Sequence, residues 1–569
     1  MSSVLRQDLF PEGQIRQGLT SHDLAARALL ALAALVLVVF LMAPMSAIFV
    51  RAVQDNNGEW TGLAHFYSYF SSPGLARSIW NSFWVSTVVA CITVPAAFVF
   101  AYALTRSAMP FKGTLRLIAL IPLLAPSLLP AISFIQWFGN QGALKGLLFG
   151  ASIYGAPGVI LSEIYNTLPH ALMILITALT LADARLYEAA DALGTSSTRK
   201  FFTVTLPACK YGLISAATVV FTYVLSDFGA PKVIGGNFNM LSIDVFKQVI
   251  GQHNFSRGAV VGLLLLLPSV VAFAIDITVR RKLRAQLSAR SVALVPRSKP
   301  LFDTLMLCYC ILVALLLLAV LGMAVYTSFI KLWPYNLDFT LKHYYFALVE
   351  GDTAPAFFNS LRMATWTALF GTAFVFCTAY LIEKTRGLTA VRPVLHLLAM
   401  LSMAVPGLVL GLGYIMFFNH PSNPLGFLYN SMAILVIANV VHYYTSGHLT
   451  AITALKALDS EFEAVSASLK VPFWKTFMRV TVPVCLPAIL EIGRYYFVVS
   501  MATLSCLVFL YSPNTMPAAV AIMNLDEAGE IGPAAALASL TVLASAIVCL
   551  LYALATRVLI RKTQAWRFH

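Results

Sequence analysis

Long apolar runs separated by short polar segments constrain the fold of this 569-residue chain more than any other feature. Of its residues, 59% are hydrophobic and 11% are charged, whereas soluble domains carry about 25% charged residues. A run of about 20 apolar residues can cross a bilayer as a helix. Such runs lie near 28–50, 80–104, 115–137, 157–183, 209–230, 259–279, 304–327, 359–382, 393–418, 431–455, 484–510 and 533–556. The sequence therefore predicts an all-α membrane protein with about 12 transmembrane helices.

The distribution of the excess Lys and Arg residues follows the predicted membrane topology. The formal net charge is +14, which in a soluble protein would point to nucleic acid. With the N terminus placed inside, most of the Lys and Arg residues fall in inside segments, as they do in the cytoplasmic loops of membrane proteins. We therefore expect both termini to be cytoplasmic, and we expect a lipid bilayer, not nucleic acid, to face the basic residues.

The chain repeats itself at a nearly constant spacing of 276–280 residues. Three pairs of landmarks carry the repeat: Asn81 with Asn359, Pro126 with Pro406, and Pro207 with Pro483. An even number of spans in each copy gives both copies the same orientation, and the pathway of such parallel repeats lies between the halves. The sequence predicts two parallel six-helix modules.

These features divide the chain into seven predicted segments. The first apolar run is too long for the h-region of a signal peptide, so we expect it to remain as the first span. The segments are a cytoplasmic tail (1–27), the first span with a periplasmic loop (28–76), the first module (77–281), a basic cytoplasmic linker (282–300), the seventh span with a periplasmic loop (301–355), the second module (356–557) and a cytoplasmic tail (558–569).

A short polar segment, YEAADALGTSSTRKFFTVTLP, separates the fourth and fifth spans of the first module. Its first part favours a short helix, because helix formers dominate and Glu188 in the first turn suits the helix dipole. Gly194 is expected to break this helix, and Ser196, Ser197 and Thr198 are capping residues for a second one. The pattern predicts a rigid helix–bend–helix knob on the inside face of the membrane.

This segment resembles the EAA loop of ABC importer permeases at Glu188, Ala189, Ala190, Gly194, Leu206 and Pro207. The resemblance covers about 77–281 and 356–557 and implies two fused permease modules in a bacterial inner membrane. It implies that the loop forms coupling helices that dock into a separate ABC ATPase, present in two copies. It also implies a periplasmic substrate-binding protein as a further partner.

The second copy of the loop departs from this pattern. Counted back from Pro483, the position of the motif glutamate holds Ala464, and the position of the glycine holds Lys470. Glu463 lies one residue early, and Pro472 is expected to supply the break that glycine makes in the first copy. We expect this loop to dock an ATPase as well, but in a manner unequal to the first.

The chain is not expected to be an enzyme. It contains no Gly-Lys dipeptide, so the phosphate-binding loop of an ATPase is excluded. ATP and Mg are therefore expected on the partner ATPase, with no cofactor in this chain. The eight cysteines show no metal-ligand spacing, and no metal site is predicted.

Polar side chains inside the predicted spans are candidates for a translocation path. Burying such groups at membrane depth costs free energy, and those that occur there often have a functional role. The candidates are Glu163, Tyr165, Asn166, Asp227, Tyr443, Glu491 and Arg494. Structural roles are the alternative. Glu491 and Arg494 lie one helical turn apart and can pair, and His170 and His448 can link helices by hydrogen bonds.

The substrate is the least constrained prediction. Segments 226–255, 467–477 and 482–500 resemble the 2-aminoethylphosphonate branch of these fused permeases, and ferric-iron importers share the same plan. A zwitterionic phosphonate would need a carboxylate and a cation, which Asp227 with Lys232, or Glu491 with Arg494, could supply. A ferric-iron importer remains open, as does a secondary transporter with 12 spans and no ATPase. Segment 226–255 is either a re-entrant segment or a loop for the binding protein.

Overall fold

The computed structural model describes residues 21–55, 58–286, 294, 296–350, 353–385, 391–459, 461–469 and 471–563. Almost all regular structure in these residues is helical, with a single two-stranded antiparallel ribbon. In lipid a helix satisfies its own backbone hydrogen bonds, which is why the long apolar runs form helices. The predicted all-α fold class is confirmed.

The helices follow the predicted runs in order. In the N-terminal half they are α1 Ser21–Leu37, α2 Ala43–Ala52, α3 Ala64–Phe70, α4 Pro73–Arg106, α5 Lys112–Leu120, α6 Leu128–Phe138, α7 Ala156–Thr180, α8 Ala184–Ala192, α9 Ser197–Lys200, α10 Leu206–Ser226, α11 Gly229–Ile234, α12 Leu241–Phe246 and α13 Phe255–Gln286. In the C-terminal half they are α14 Pro300–Ser328, α15 Lys342–Tyr345, α16 Ala354–Trp366, α17 Thr372–Lys384, α18 Val391–Leu401, α19 Gly407–Phe418, α20 Met432–His442, α21 Tyr444–Lys456, α22 Glu461–Ser468, α23 Phe473–Thr476, α24 Val482–Ala502, α25 Ala518–Glu527 and α26 Ile531–Thr563. The ribbon consists of β1 Ile330–Leu332 and β2 Asn336–Phe339.

Short π-helical and 3-10 segments join or extend these helices. The π segments are Val38–Met42, Phe201–Thr205, Lys247–Gly251, Phe346–Glu350, Thr367–Gly371 and Phe477–Thr481. The 3-10 segments are Ile121–Leu124, Lys145–Leu148, Ser402–Ala404, Gly426–Leu428 and Pro513–Thr515. Two of the π segments, Phe201–Thr205 and Phe477–Thr481, lie at the predicted repeat spacing and run directly into α10 and α24. Each therefore joins a short loop helix to a spanning helix without a break.

Nine helices in the described part of the chain are long and apolar enough to cross a membrane, and eleven if two bent pairs each count as one span. The bends, of 102° and 110°, separate α5 from α6 and α18 from α19. They occur at the landmark residues Pro126 and Pro406, because proline lacks the N–H that a continuous helix requires. The remaining predicted run, the tenth, near 431–455, contains the shorter helix α20, followed at Tyr443 by α21.

Two predicted spans end earlier than their apolar runs. The run near 209–230 leaves the helix after Ser226, and the run near 484–510 leaves it after Ala502. In both modules the chain then enters a segment of short helices that returns to the bundle. In the first module this segment packs α11 against α6 and α12 against α13, and its residues from Gly229 to Pro231 are buried. Segment 226–255 thus packs back into the helix bundle, and for this path of the chain we call it and its counterpart in the second module the re-entrant segments.

The Asn-Ser landmarks hold these re-entrant segments in place. The Asn81 side chain donates to the Asn239 carbonyl at 2.9 Å, and the Leu241 N–H donates to Ser82 Oγ at 2.8 Å. In the second module Asn359 donates to the Asn514 carbonyl at 3.0 Å, and the Ala518 N–H donates to Ser360 Oγ at 2.7 Å. The duplicated residues therefore make the same contacts in both modules.

The first and seventh spans each pack against both modules, because α2 also contacts α13 and α14 also contacts α26. Helices α1 and α2 pack on α17, α18 and α19 of the second module, where the Tyr414 hydroxyl donates to the Phe40 carbonyl at 2.7 Å. Helix α14 packs on α4, α5 and α6 of the first module, where the Tyr309 hydroxyl donates to the Ala96 carbonyl at 2.8 Å. The first span thus packs on the side of the second module, and the seventh span packs on the side of the first. These contacts hold the two halves together.

Candidate functional site

The loop between α7 and α10, which we call loop 1 (residues 181–205), is a capped helix–bend–helix. The Asp183 carboxylate accepts the Arg185 N–H at 3.1 Å and caps α8. Gly194 ends α8 with φ +67°, a conformation that glycine adopts without steric cost. The Thr195 N–H reaches the Ala190 carbonyl at 2.9 Å, and the Gly194 N–H reaches the Asp191 carbonyl at 3.0 Å. This is the Schellman pattern, and Ser196 then caps α9 as predicted.

The two faces of loop 1 differ. On the inner face, the Tyr187 hydroxyl donates to Thr205 Oγ1 at 3.0 Å, and the Arg106 guanidinium lies 5.0 Å from the centre of the Tyr187 ring. Ala190 is buried on the same side. The side chains of Glu188 and Ala189 are exposed on the opposite face. Loop 1 is therefore anchored to the helix bundle through one face and presents the motif glutamate on the other.

A charge pair closes the bend of loop 1. The Lys200 ammonium pairs with the Asp191 carboxylate across the turn. The hydrogen bond from Lys200 holds the pKa of the Asp191 carboxyl below its usual value. Pro207, the last motif residue, lies in the first turn of α10, directly after the π segment Phe201–Thr205.

The corresponding loop of the second module, loop 2 (residues 457–481), has the same plan with different contacts. Asp459 accepts the Glu461 N–H at 3.0 Å, and the Val471 N–H reaches the Ser466 carbonyl at 2.9 Å. Pro472 stands before the second short helix, α23, as predicted. Pro483 lies in the first turn of α24, as Pro207 does in α10.

One acidic residue of loop 2, Glu463, faces the bundle. Glu463 pairs with Lys384 at 3.1 Å, with side-chain exposures of 22% and 9%. By the repeat spacing Glu463 corresponds to Tyr187, and Lys384 to Arg106, so an ion pair replaces a cation–π contact. Ala464 occupies the exposed position that Glu188 has in loop 1. The prediction for Lys470 falls outside the described residues.

A cavity of about 870 Å³ lies between the two modules. In the first module its wall is formed by the α5–α6 junction and by α7, α10 and α13. In the second module it is formed by the α18–α19 junction and by α20, α21, α24 and α26. The two proline bends, at Pro126 and Pro406, thus bring non-helical backbone to a cavity wall, where such backbone is tolerated at membrane depth.

Five of the seven predicted path residues line this cavity: Asn166, Asp227, Tyr443, Glu491 and Arg494. Glu163 and Tyr165 do not; they are buried on other faces of α7. The Tyr443 hydroxyl is 2.7 Å from Thr503 Oγ1, which by the repeat spacing corresponds to Asp227. The sequence therefore singled out five residues of the cavity wall, from both modules, without locating the cavity itself.

Glu491 and Arg494 form an ion pair within α24. Their side chains are 54% and 39% exposed, and both border the cavity. The predicted pairing across one helical turn is present. The pair is therefore also a part of the cavity wall.

Asp227 and Lys232, which the sequence offers as a carboxylate and a cation near the path, have separate partners, and of the two only Asp227 lines the cavity. Asp227 accepts the Ala230 N–H at 3.0 Å, in the turn that starts α11. The Lys232 ammonium turns to Glu527 of the second module, at 2.6 Å, and lies 4.9 Å from the centre of the Phe246 ring. Beside this bridge, burial raises the pKa of Asp526 to about 6, and the charge of Glu527 adds to the effect.

Histidines and one aspartate complete the polar set. His170 Nδ1 lies 3.2 Å from the Asn166 carbonyl in the same helix, and His448 Nε2 lies 3.1 Å from His396 Nδ1 of α18. His448 therefore links helices as predicted, whereas its partner His396 was missed. Asp276 in the cavity wall was also missed, although an acidic residue in the apolar run AFAIDITV is itself a signal. Among the described residues no group of three or more His, Cys, Asp or Glu could hold a metal ion.

Known proteins resemble the chain along most of its length. A family model described as the binding-protein-dependent transport system inner membrane component matches residues 93–285 and 376–564. A putative ferric transport system permease protein of Haemophilus influenzae is 27% identical over 494 residues, 84% of this chain and 76% of that protein. A ferric transport system permease protein of Actinobacillus pleuropneumoniae is 26% identical over 531 residues, 90% of this chain and 76% of that protein. One chain of a bacterial ABC transporter crystal structure, involved in the import of the acidic polysaccharide alginate, has a TM-score of 0.39 and 17% identity, over 46% of this chain and 96% of that chain.

Proposed function

The chain belongs to the family of binding-protein-dependent transport system inner membrane components, and we propose that its central cavity is the path of a small cationic solute. The family match occurs once in each half, so the chain is a fused two-module ABC importer permease, a multi-pass protein of the inner membrane. The observation that carries the proposal is that both modules contribute to one cavity of about 870 Å³. In transporters built from parallel repeats the substrate path lies between the two repeats, which is the position of this cavity.

Loops 1 and 2 are proposed to couple this cavity to ATP. We place both loops and both termini in the cytoplasm, where each loop docks one of two ABC ATPase subunits. ATP and Mg are bound by those subunits, and this chain needs no cofactor of its own. A periplasmic binding protein delivers the solute to the opposite face.

Continuous helices provide the mechanical link. Residues Ser197–Ser226 form one span that begins in loop 1, and residues Phe473–Ala502 form one that begins in loop 2. The far part of the first span carries Thr218, Thr222 and Tyr223 into the cavity wall, and the second carries Glu491 and Arg494. Because a helix transmits displacement along its length, closure of the ATPase pair would move both cavity walls at once.

The charge of the cavity favours a cationic cargo. Among the described residues that form its wall, the charged side chains are Asp227, Asp276, Glu491 and Arg494, and Arg494 is already paired with Glu491. Two relatives bear ferric transport names, which supports iron as the cargo. The 2-aminoethylphosphonate interpretation gains no support, because Lys232 pairs with Glu527 and does not line the cavity, and Arg494 in the cavity wall is paired with Glu491. The binding protein encoded with this chain should therefore bind ferric iron and not 2-aminoethylphosphonate in a direct titration; the opposite preference would contradict a cationic cargo.

Cys549 offers a test of the path that does not depend on the cargo. Its thiol borders the cavity, whereas Cys308 is exposed on the outer surface of α14. A variant that retains Cys549 alone should react with a hydrophilic thiol reagent and lose ATP-driven transport, because the cavity admits water. The matched variant that retains Cys308 alone should keep its transport rate. Full transport after complete labelling of Cys549 would contradict the assignment of the cavity as the path.

A further inference from the structure

An apolar groove opens on the surface of the second module, apart from the central cavity. Its volume is about 520 Å³, and it is bounded by Val36 and Phe40 of the first span, by α16–α17 and by α20. The described residues that line it are all apolar. On its inner side, Val436 and Val440 of α20 are buried. The groove therefore suits a hydrocarbon occupant and not a hydrated solute.

One wall of the groove is an aromatic stripe of Trp366, Phe370 and Phe374, which follow one another at intervals of four residues. The rings of Trp366 and Phe370 stack with their centres 5.2 Å apart, and their side chains are 41% and 57% exposed. By the repeat spacing, the corresponding residues of the first module are Val88, Ile92 and Ala96. The shared fold therefore does not require large aromatic side chains at these positions.

The backbone behind the stripe is the π segment Thr367–Gly371. Gly371 permits close packing here, since a Cβ at this position would lie 2.9 Å from Val440 Cγ2 and 3.4 Å from the Tyr496 ring of α24. The corresponding helix of the first module, α4, is α-helical from Pro73 to Arg106. Single π segments inside spanning helices occur frequently at functional sites. This one connects the groove to α24, the helix that continues from loop 2.

A basic residue stands at one end of the aromatic stripe. Arg362 precedes Trp366 by four residues in α16, so the two share a helix face, and Arg362 is exposed. In the part of the chain that the structure describes, no acidic side chain forms an ion pair with it. From Arg362 to Phe374 the helix rises about 18 Å, slightly more than half of a hydrocarbon core that is about 30 Å thick. The stripe therefore has the length of one lipid leaflet, with a cation at its surface end.

We propose that this groove binds an acyl chain of an anionic phospholipid of the bilayer, whose phosphate contacts Arg362. The acyl chain lies against Trp366, Phe370 and Phe374 and ends near the middle of the span Ala354–Lys384. A guanidinium group is well suited to a phosphate. A transmembrane helix of a partner protein is a poorer occupant, because such helices pack through small residues, whereas the groove presents large aromatic rings.

Quenching of Trp366 fluorescence by brominated lipids tests this site in the full-length protein purified with its ATPase. Subtracting the emission of Trp366→Phe from that of the wild type isolates the signal of Trp366, and bromine atoms on an acyl chain quench an indole ring that they contact. We expect brominated phosphatidylglycerol to quench Trp366 at about fivefold lower concentration than phosphatidylcholine with the same acyl chains. One basic residue beside an anionic headgroup produces a preference of roughly this size.

Three variants separate the headgroup from the acyl chain, each measured against its own Trp366→Phe counterpart. Arg362→Gln should abolish the preference for phosphatidylglycerol and leave quenching by phosphatidylcholine unchanged. Ala433→Phe places a ring in the groove, which Ala433 lines, and should reduce quenching by both lipids. Arg77→Gln is the matched control, because Arg77 is also exposed near the start of a spanning helix, α4, but does not border the groove. It should leave the preference unchanged.

Other outcomes would overturn the proposal. Equal quenching of the wild type by the two lipids would exclude selection of an anionic headgroup. Undiminished quenching in Ala433→Phe would place the acyl chain outside the groove, and protection of Trp366 from both lipids would indicate that a protein segment covers it. Arg362→Gln changes only an exposed side chain, so the headgroup test stands even where Ala433→Phe does not assemble with the ATPase. These readouts do not involve transport and are independent of the proposed path.

Discussion

Replacing Glu188 and Gly194 of loop 1 together by Ala is expected to uncouple ATP hydrolysis from transport. Gly194 has φ +67° with open space around its α-carbon, so Ala introduces backbone strain of about 1–2 kcal/mol without a clash. The strain disturbs the Schellman cap that orients α8, and loss of Glu188 removes an exposed carboxylate from the docking face. Coupling free energies are typically about 1–3 kcal/mol, so transport should fall roughly 5- to 150-fold. The measurement is cargo uptake and ATP turnover by the reconstituted complex.

Gly150→Ala is the matched control for this experiment. Gly150 also has a positive φ, +88°, and open space, but it lies between α6 and α7, away from loop 1. It should keep wild-type uptake although it carries the same kind of strain. If the loop 1 double variant assembled with the ATPase and transported at the wild-type rate, the docking assignment of loop 1 would be wrong.

Reversing the charge of Lys232 is expected to disturb the contact between the two modules. In Lys232→Glu the new carboxylate would face Glu527 and the neighbouring Asp526, and repulsion would replace the 2.6 Å bridge between α11 and α25. Glu527 is half-exposed, so screening by solvent limits the effect, and we expect transport to fall by about fivefold. ATP turnover without cargo should rise, since this bridge joins the modules beyond the cavity. Uptake and basal ATP turnover are measured on the same proteoliposomes.

Reciprocal replacement separates this bridge from simple misfolding. Lys232→Glu combined with Glu527→Lys restores opposite charges across the modules and should recover transport. Lys331→Glu breaks a comparable ion pair, with Asp338 at 3.0 Å, that lies within the β1–β2 ribbon of one half, and it should have little effect. Equal losses in the single and the reciprocal variants would refute the bridge as a link between modules.

Periodic and repeated features of the chain were predictable from its sequence. Apolar runs of spanning length, and landmarks at a nearly constant spacing, were sufficient to predict the two modules and both loops. Pro126 and Pro406 were recognised as a pair, but bends of 102° and 110° depend on what packs against the second half of each helix. The packing of α1–α2 and of α14 against helices of the other module was also not predictable. Hydropathy does not show which apolar helix faces contact each other.

Side-chain partners were the least predictable part of the site. Asn166 and Asp227 were both singled out, yet the cavity that both line brings together residues 61 positions apart in the chain. Lys232 was offered with Asp227 as a cation near the path, but it pairs with a residue of the other module. The presence of a polar residue inside a predicted span thus identified candidate path residues. Their partners depend on which helices pack together, and the sequence alone does not show this.

The unequal loops remain a prediction that only partner binding can test. Loop 1 presents Glu188, whereas loop 2 presents Ala464 and turns Glu463 inward to Lys384. A symmetric ATPase pair would therefore meet two different surfaces. The inequality predicted from the sequence agrees with this geometry, although the position of Lys470 lies outside the described residues.

ATP-dependent uptake in proteoliposomes tests the central claim most directly. The chain would be reconstituted with its ATPase, loaded with ATP inside, and supplied outside with its binding protein carrying radioactive ferric iron. We predict accumulation that requires the ATPase, ATP and the binding protein together, and that ceases when ATP is replaced by a non-hydrolysable analogue. Accumulation by the chain alone, driven by an ion gradient, would contradict the account and identify a secondary transporter.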